Sequence, residues 1–373
     1  MTAPTIGHYM KKLLIVSDPP ARPGFLPRLR YLCDYLVRKG YDVTLLTEEY
    51  QPLDFKHDYP IKTIRMYSGS TFDWLLKTIW TLLTDWHDRV FAKRSLQLSA
   101  ISHQHYDFVL CTAFSDFPLG AALRIANTMN IPLICDIRDL DEQVEDSTYQ
   151  YKHQLFLLKP LKELYRAIHI KRRNKVLRAA NAVTTVSPWH ADFIKQFNEK
   201  VQVVYNGYDE QQFYPKDIPT DSFRIMYIGS LFEWQKPALR IVQQVAQEMH
   251  IELEMHTPQK HPISYDQLGD SIRQSGIMLV LTSPKTHGML TTKFYEALGC
   301  EKPVLCVPSD KGALAELMEY THAGLATDDA EAIKAFIQEK YNEWKQNGFT
   351  RQATQHREEF SRETQCRQIE ALL

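Results

Sequence analysis

The sequence predicts an α/β protein of two doubly wound, parallel-sheet domains facing each other across a cleft. Three observations carry that prediction. The chain has 373 residues, more than one small core needs when a domain takes about 100–200 residues. Short β-branched runs alternate with helix-period stretches almost from end to end, the pattern of parallel strands covered on both faces. A turn-rich stretch, Asn206-Gly207-Tyr208-Asp209 through Pro215, interrupts the alternation past the middle of the chain.

The elements follow in order. Residues 13–16 (LLIV) read as the first strand, and residues 25–39 as a helix that Gly40 stops. Residues 43–46, 108–111, 133–135 and 182–186 continue the first series of strands. A second series is read from 201–204 through 225–228, 251–254, 277–281 and 304–307. No signature recurs at a period of 20–50 residues, which excludes a solenoid.

Composition narrows the function classes. Lys+Arg (44) and Asp+Glu (45) nearly cancel, leaving −1, so no global charge attracts nucleic acid. With 44% apolar and 24% charged residues the chain is neither disordered nor fibrous. The sequence holds no uninterrupted run of about 18 apolar residues, the length that spans a bilayer. The opening MTAPTIGHYMKK lacks a hydrophobic signal core, so a cytoplasmic location is expected. The six cysteines are scattered, and Cys111, Cys135 and Cys306 sit inside apolar runs. They are expected to be buried free thiols, with neither a disulfide framework nor a metal site.

Ligands of open parallel sheets bind beyond the carboxyl ends of the strands, so the residues there are the candidates. After the first strand, Gly24 either lets a ligand approach a helix N-terminus or closes a plain strand-to-helix loop. After the strand at 133–135 comes Asp136-Ile137-Arg138-Asp139, where Asp136 and Asp139 either cap the next helix or face reacting groups. In the second half, Gly229-Ser230 precedes Lys236, which is either a phosphate clamp at a helix start or a solvated lysine. The most specific segment runs from Leu290 to Leu305. Thr291 or Thr292 can cap a helix whose first N–H groups point at the cleft, and Glu296 lies at i+4 from Thr292 on the same face. There its carboxylate would accept from a vicinal diol such as ribose, unless it is an ordinary surface position.

These stretches resemble the retaining, nucleotide-sugar-dependent glycosyltransferases of the GT-B fold, the group-one glycosyl transferases. The resemblance rests on Asp136 to Leu140, Val204 to Asp209 with Phe213 and Pro215, Tyr227 to Ser230 with Lys236, Thr292 to Ala297 with Pro303-Val304, and the terminal 360–365. It implies two Rossmann-like domains over 1–200 and 201–352, with 353–373 returning as a helix to the first. It also implies roles. Glu296 matches the second glutamate of an E-x7-E motif that holds the donor ribose. Thr291 and Thr292 match the amides that receive the diphosphate, and Lys236 the phosphate-clamping lysine. Lys293, Gly229, Ser230 and Gly24 complete the donor side. Arg138 and Asp139 stand where many relatives carry a His-Asp pair near the donor sugar. The chain departs from the pattern at Gly288 (the first glutamate of E-x7-E), at Ser230 (an arginine in relatives), and in having only Gly24 in the first-domain loop.

The expected reaction moves a sugar, with retention, from a nucleotide diphosphate donor to a glycan or lipid-linked acceptor in cell-surface polysaccharide or glycolipid synthesis. Lys236 and a helix N-terminus supply positive potential for the leaving diphosphate, so neither a metal nor another cofactor is expected. The alternatives are a nucleotide-sugar epimerase of the same architecture and an inactive nucleotide-sugar-binding subunit. Peripheral membrane contact is a further expectation. On a helix over 160–178, Leu161, Leu164 and Ile168 are read as one face and Lys162, Arg166, His169 and Arg173 as the other, while Trp74, Trp80 and Trp86 fall in the stretch 71–94. The competing reading packs those apolar faces on the sheet.

Overall fold

The computed structural model describes residues 10–18, 26–49, 56–67, 70, 76–77, 79–81, 84–114, 116–145 and 159–373. The expectations placed on Gly24, Trp74 and the Leu161 side chain fall outside the described residues.

The first sheet has seven strands: β1 (Lys12–Ser17), β2 (Asp42–Glu48), β3 (Ile61–Ile64), β4 (Phe108–Ala113), β5 (Leu133–Ile137), β6 (Ala182–Thr185) and β7 (Val201–Val203). They are all parallel, in the order β3-β2-β1-β4-β5-β6-β7. The second sheet joins β8 (Arg224–Ile228), β9 (Glu252–His256), β10 (Ile277–Leu281), β11 (Val304–Val307) and β12 (Gly324–Ala326) in the order β12-β11-β10-β8-β9, again parallel. β1, β4, β5, β10 and β11 are almost entirely buried, which is why they read as continuous apolar runs. Each sheet carries an apolar cluster on both faces. All six cysteines are buried free thiols.

The stretch 201–204 does not open the second series. Val201 pairs with Val183, so β7 closes the first sheet and the boundary falls after it. A three-residue strand carries no mark in sequence of which sheet it will join. β3 and β12 were not read from sequence at all, because IKTI and GLA are too short to show a period.

The chain ends on the first domain. A 3-10 turn, Arg357–Phe360, leads into helix Arg362–Glu370, whose Cys366 and Ile369 enter the cluster of Leu13, Ile15, Leu32 and Tyr35. Strand order reverses around β1/β4 in the first sheet and β8/β10 in the second. The carboxyl ends of those strands are therefore the two walls on which a ligand is expected.

Candidate functional site

The second-domain wall is built by β8 and helix Thr292–Gly299. Thr291 sits at the N-cap in extended conformation, and its hydroxyl accepts from the Lys293 amide at 3.4 Å. The remaining first-turn N–H groups and the helix dipole give this end positive potential. The Lys293 side chain runs across the carboxyl end of β8. A Cβ on Gly229, whose φ is +117°, would lie 2.6 Å from Lys293 Cε and 2.9 Å from Nζ. The ammonium stands 5.7 Å from the centre of the Tyr227 ring, and burial lowers its pKa, opposed by the charge of Glu296.

Glu296 is only 8% exposed. Burial raises its pKa, while Arg362 and Lys293 pull it down. A buried carboxylate is costly unless it has hydrogen-bond donors to receive. This is not a solvated surface position.

Lys236 behaves differently. It begins helix Lys236–Glu248, but its ammonium pairs with Glu233 at 2.7 Å, and both side chains are well exposed. Ser230 is exposed, and its carbonyl accepts from the Tyr227 hydroxyl at 2.7 Å. Between them lies Gln235, missed by sequence reasoning. It is buried, accepts from the Phe232 amide at 2.9 Å and donates to the Leu281 carbonyl at 2.8 Å, fixing the loop against β10.

On the first-domain wall, Asp136 lies inside β5 rather than after it, and it faces no reacting group. It is fully buried, accepting from Arg28 (2.9 Å), Thr112 (3.1 Å) and Thr184 (2.8 Å). Arg28 also donates to the Tyr205 carbonyl at 2.9 Å and to Asn206 at 3.1 Å. The pair thus ties helix Leu26–Arg38, β5 and the crossover between domains. The helix cap proposed for this carboxylate is also absent, since the next element is the short 3-10 turn Asp141–Gln143.

Arg138 and Asp139 do reach the wall at the end of β5. Arg138 is 7% exposed and donates to Asp18 at the end of β1, at 3.4 Å; burial lowers its pKa to about 10. Asp139 accepts from Gln143 at 3.0 Å, and burial raises its pKa against that bond and the Arg138 charge.

Gln143 then leads across the cleft. Its Oε1 lies 2.7 Å from His190 Nε2, and His190 Nδ1 lies 2.8 Å from the hydroxyl of Ser187. Burial, reinforced by Arg173, lowers the His190 pKa to about 3, so the ring is neutral. With Gln143 Oε1 as acceptor, the proton sits on Nε2 and Ser187 donates to Nδ1. The Gln143 carbonyl accepts from the His287 amide at 2.8 Å, the Glu145 amide donates to Lys285 at 3.1 Å, and Val144 pairs antiparallel with Thr286. Trp189 stacks on His287 with centroids 5.7 Å apart. The loop after β5 and the loop after β10 are therefore joined.

Gly288 lies at this junction. Its φ is +62°, and a Cβ there would meet Ser187 Oγ at 2.8 Å and Trp189 Cβ at 2.9 Å. The missing glutamate is explained by the partner wall, which already fills its place.

Comparison with known proteins agrees with this architecture. The stretch 28–212 matches the model for Glycosyltransferase Family 4. No curated protein matches the chain in sequence. Among solved structures, HepE of Anabaena in complex with UDP-glucose superposes with a TM-score of 0.58 at 13% identity, covering 97% of this chain and 98% of its own. WaaG, a glycosyltransferase involved in lipopolysaccharide biosynthesis, gives 0.55 at 10%, covering 90% and 94%. LpCGTa in complex with UDP gives 0.52 at 12%, covering 89% and 90%. The fold of the whole chain is GT-B.

Helix Lys159–Ala179 corrects the expected faces. Tyr165, His169, Arg173, Val176 and Leu177 are buried, whereas Leu164 is 55% exposed. Arg173 grips Glu142 with two bonds of 2.8 and 2.7 Å, His169 contacts Asp116, and Arg166 and Arg172 donate to the Asp141 and Thr81 carbonyls. Periodicity placed cations outside because it does not see an acid waiting in the turn after β5. Trp86 packs on the first core, but Leu76, Ile79 and Trp80 are exposed. Among the described residues, no helix is long and apolar enough to cross a membrane.

Proposed function

We propose that this chain transfers a sugar from a nucleoside diphosphate donor to a hydroxyl of a glycan or lipid-linked acceptor. The observation that carries the reading is the pairing, on one short helix, of a capped N-terminus with a buried carboxylate one turn on, at Thr291 and Glu296. The first suits a diphosphate and the second a ribose diol, at the switch point of a GT-B second domain. The family match and the fold support glycosyl transfer. Arg138 and Asp139 on the facing wall are the candidates to border the donor sugar.

Chemically, the bond between the anomeric carbon and the β-phosphate oxygen breaks, and the acceptor oxygen bonds to that carbon. The acceptor proton passes to the departing phosphate. Protein donors at the helix start, rather than a required metal ion, stabilise the leaving diphosphate. Retention at the anomeric carbon follows from the resemblance to the group-one enzymes. The exposed Leu76, Ile79, Trp80 and Leu164, with Lys171, Lys175 and Arg178 exposed on the same helix as Leu164, favour a bilayer-bound acceptor reached from the membrane face.

The complexes of HepE with UDP-glucose and LpCGTa with UDP make uridine nucleotides the first probes. Incubation with a panel of nucleotide sugars should release nucleoside diphosphate from at least one donor, undiminished by chelator. NMR of the first product should show an unchanged anomeric configuration. No turnover of any donor overturns the enzymatic reading, and inversion overturns the stereochemical one.

A further inference from the structure

The resemblance assigns the phosphate-holding cation to Lys236, yet the structure pairs that lysine with Glu233 and leaves the Lys293 ammonium, among the described residues, without a salt bridge. We infer that Lys293, lying across the side-chain-free Gly229, is the cation that neutralises the donor diphosphate in this chain, in place of Lys236. This rests on the donor-site reading above and deepens it.

Lys293 is the second residue of its helix, where the dipole already presents positive potential, so a cation there is unfavourable unless an anion joins it. Among the described residues its ammonium has no salt bridge within 4.0 Å and no hydrogen bond, although the residue is partly buried. Its three donors therefore remain free for an anion. By contrast, Lys236 is 45% exposed and already paired with Glu233.

Gly229 supplies the independent observation. The lysine stem lies where any side chain at 229 would stand, at 2.6 Å from Cε and 2.9 Å from Nζ. The strand end is thus left bare for a cation delivered from another element. Ser230, standing where relatives carry arginine, adds no charge. The Lys293 ammonium, carried on the first turn of its helix, lies at the carboxyl end of β8, whereas Lys236 lies seven residues beyond Gly229 on its own ion pair.

Calorimetry on the full chain tests this, with UDP and UMP as probes. Lys293→Met should weaken UDP binding by about 10- to 100-fold, the range for losing a charge-assisted phosphate contact, and should shrink the UDP-over-UMP preference. Lys293→Arg should recover part of the loss. Gly229→Ala, which displaces the same ammonium without removing it, should reproduce the defect; a thermal melt of each variant checks that the fold persists. Lys236→Met should cost less than Lys293→Met. If Lys236→Met abolishes the UDP-over-UMP preference while Lys293→Met leaves it intact, the inference is overturned and the donor site stands. If wild type binds none of UDP, GDP and ADP, the donor-site reading itself falls, and this inference with it.

Discussion

Restoring the missing glutamate should damage this protein rather than improve it. In Gly288→Glu, an L-residue is forced to φ +62°, which costs about 1–2 kcal/mol. Its Cβ must also displace Ser187 Oγ, 2.8 Å away, and Trp189 Cβ, 2.9 Å away, and such overpacking costs about 1–3 kcal/mol. The sum is about 2–5 kcal/mol. The two backbone bonds across the cleft, His287 to Gln143 and Glu145 to Lys285, contribute together about 1–3 kcal/mol. The penalty matches or exceeds them, so the junction should open before either domain unfolds. Hydrogen–deuterium exchange by mass spectrometry reads this directly. Peptides covering 140–146 and 284–291 should exchange faster, by roughly thirtyfold for 2 kcal/mol, while peptides from β4 and β10 stay protected. Gly288→Ala should show nearly the same effect, because both penalties arise at Cβ. Unchanged exchange in Gly288→Ala, or a Gly288→Glu protein that hydrolyses nucleotide sugar faster than wild type, would refute the reasoning.

Two other outcomes are expected. Asp136→Asn leaves the buried Arg28 guanidinium without its charge partner and should destabilise the first domain by about 3–5 kcal/mol, read as a lower midpoint in urea; a loss below about 1 kcal/mol would contradict its role as the tie between β5 and the crossover. His190 is held neutral down to about pH 3, whereas an unfolded histidine titrates near 6.5, so the unfolded state alone takes up a proton between those values. Its contribution is complete above pH 6.5 and is lost as pH falls toward 3, by up to about 1.4 kcal/mol per unit. The urea midpoint of wild type should therefore drop more steeply from pH 6.5 to 5 than that of His190→Gln, and parallel curves would argue against the buried neutral ring.

The strands were legible because a parallel sheet buried on both faces writes itself as apolar runs, as in β1 and β10. The helix carrying Glu296 was legible for a different reason: a threonine cap and a carboxylate at i+4 from Thr292 fix one face by geometry alone. What stayed hidden depends on contacts distant in sequence. Nothing local tells that Arg173 will meet Glu142, so the faces of its helix were inverted. Asp136 read as a candidate for chemistry because a carboxylate near a strand end is costly, and its partner Arg28 stands 108 residues away. Gly288 read as a loss, whereas the facing Ser187 and Trp189 show that it is a fit. Gln143 and Gln235 carried no signal, since a buried amide looks in sequence like any surface glutamine.

The donor site is the central claim, and ribose recognition by Glu296 is its most direct test. Wild type and Glu296→Ala should be titrated calorimetrically with the tightest-binding of UDP, GDP and ADP, and with its 2′,3′-dideoxy analogue. Two charge-assisted bonds at roughly 1.5–3 kcal/mol each, less desolvation, predict that Glu296→Ala weakens the natural nucleotide by about 10- to 100-fold. The analogue, lacking both hydroxyls, should bind wild type and variant alike. A substitution that leaves the natural nucleotide's affinity unchanged, or weakens the analogue by the same factor, would contradict the account.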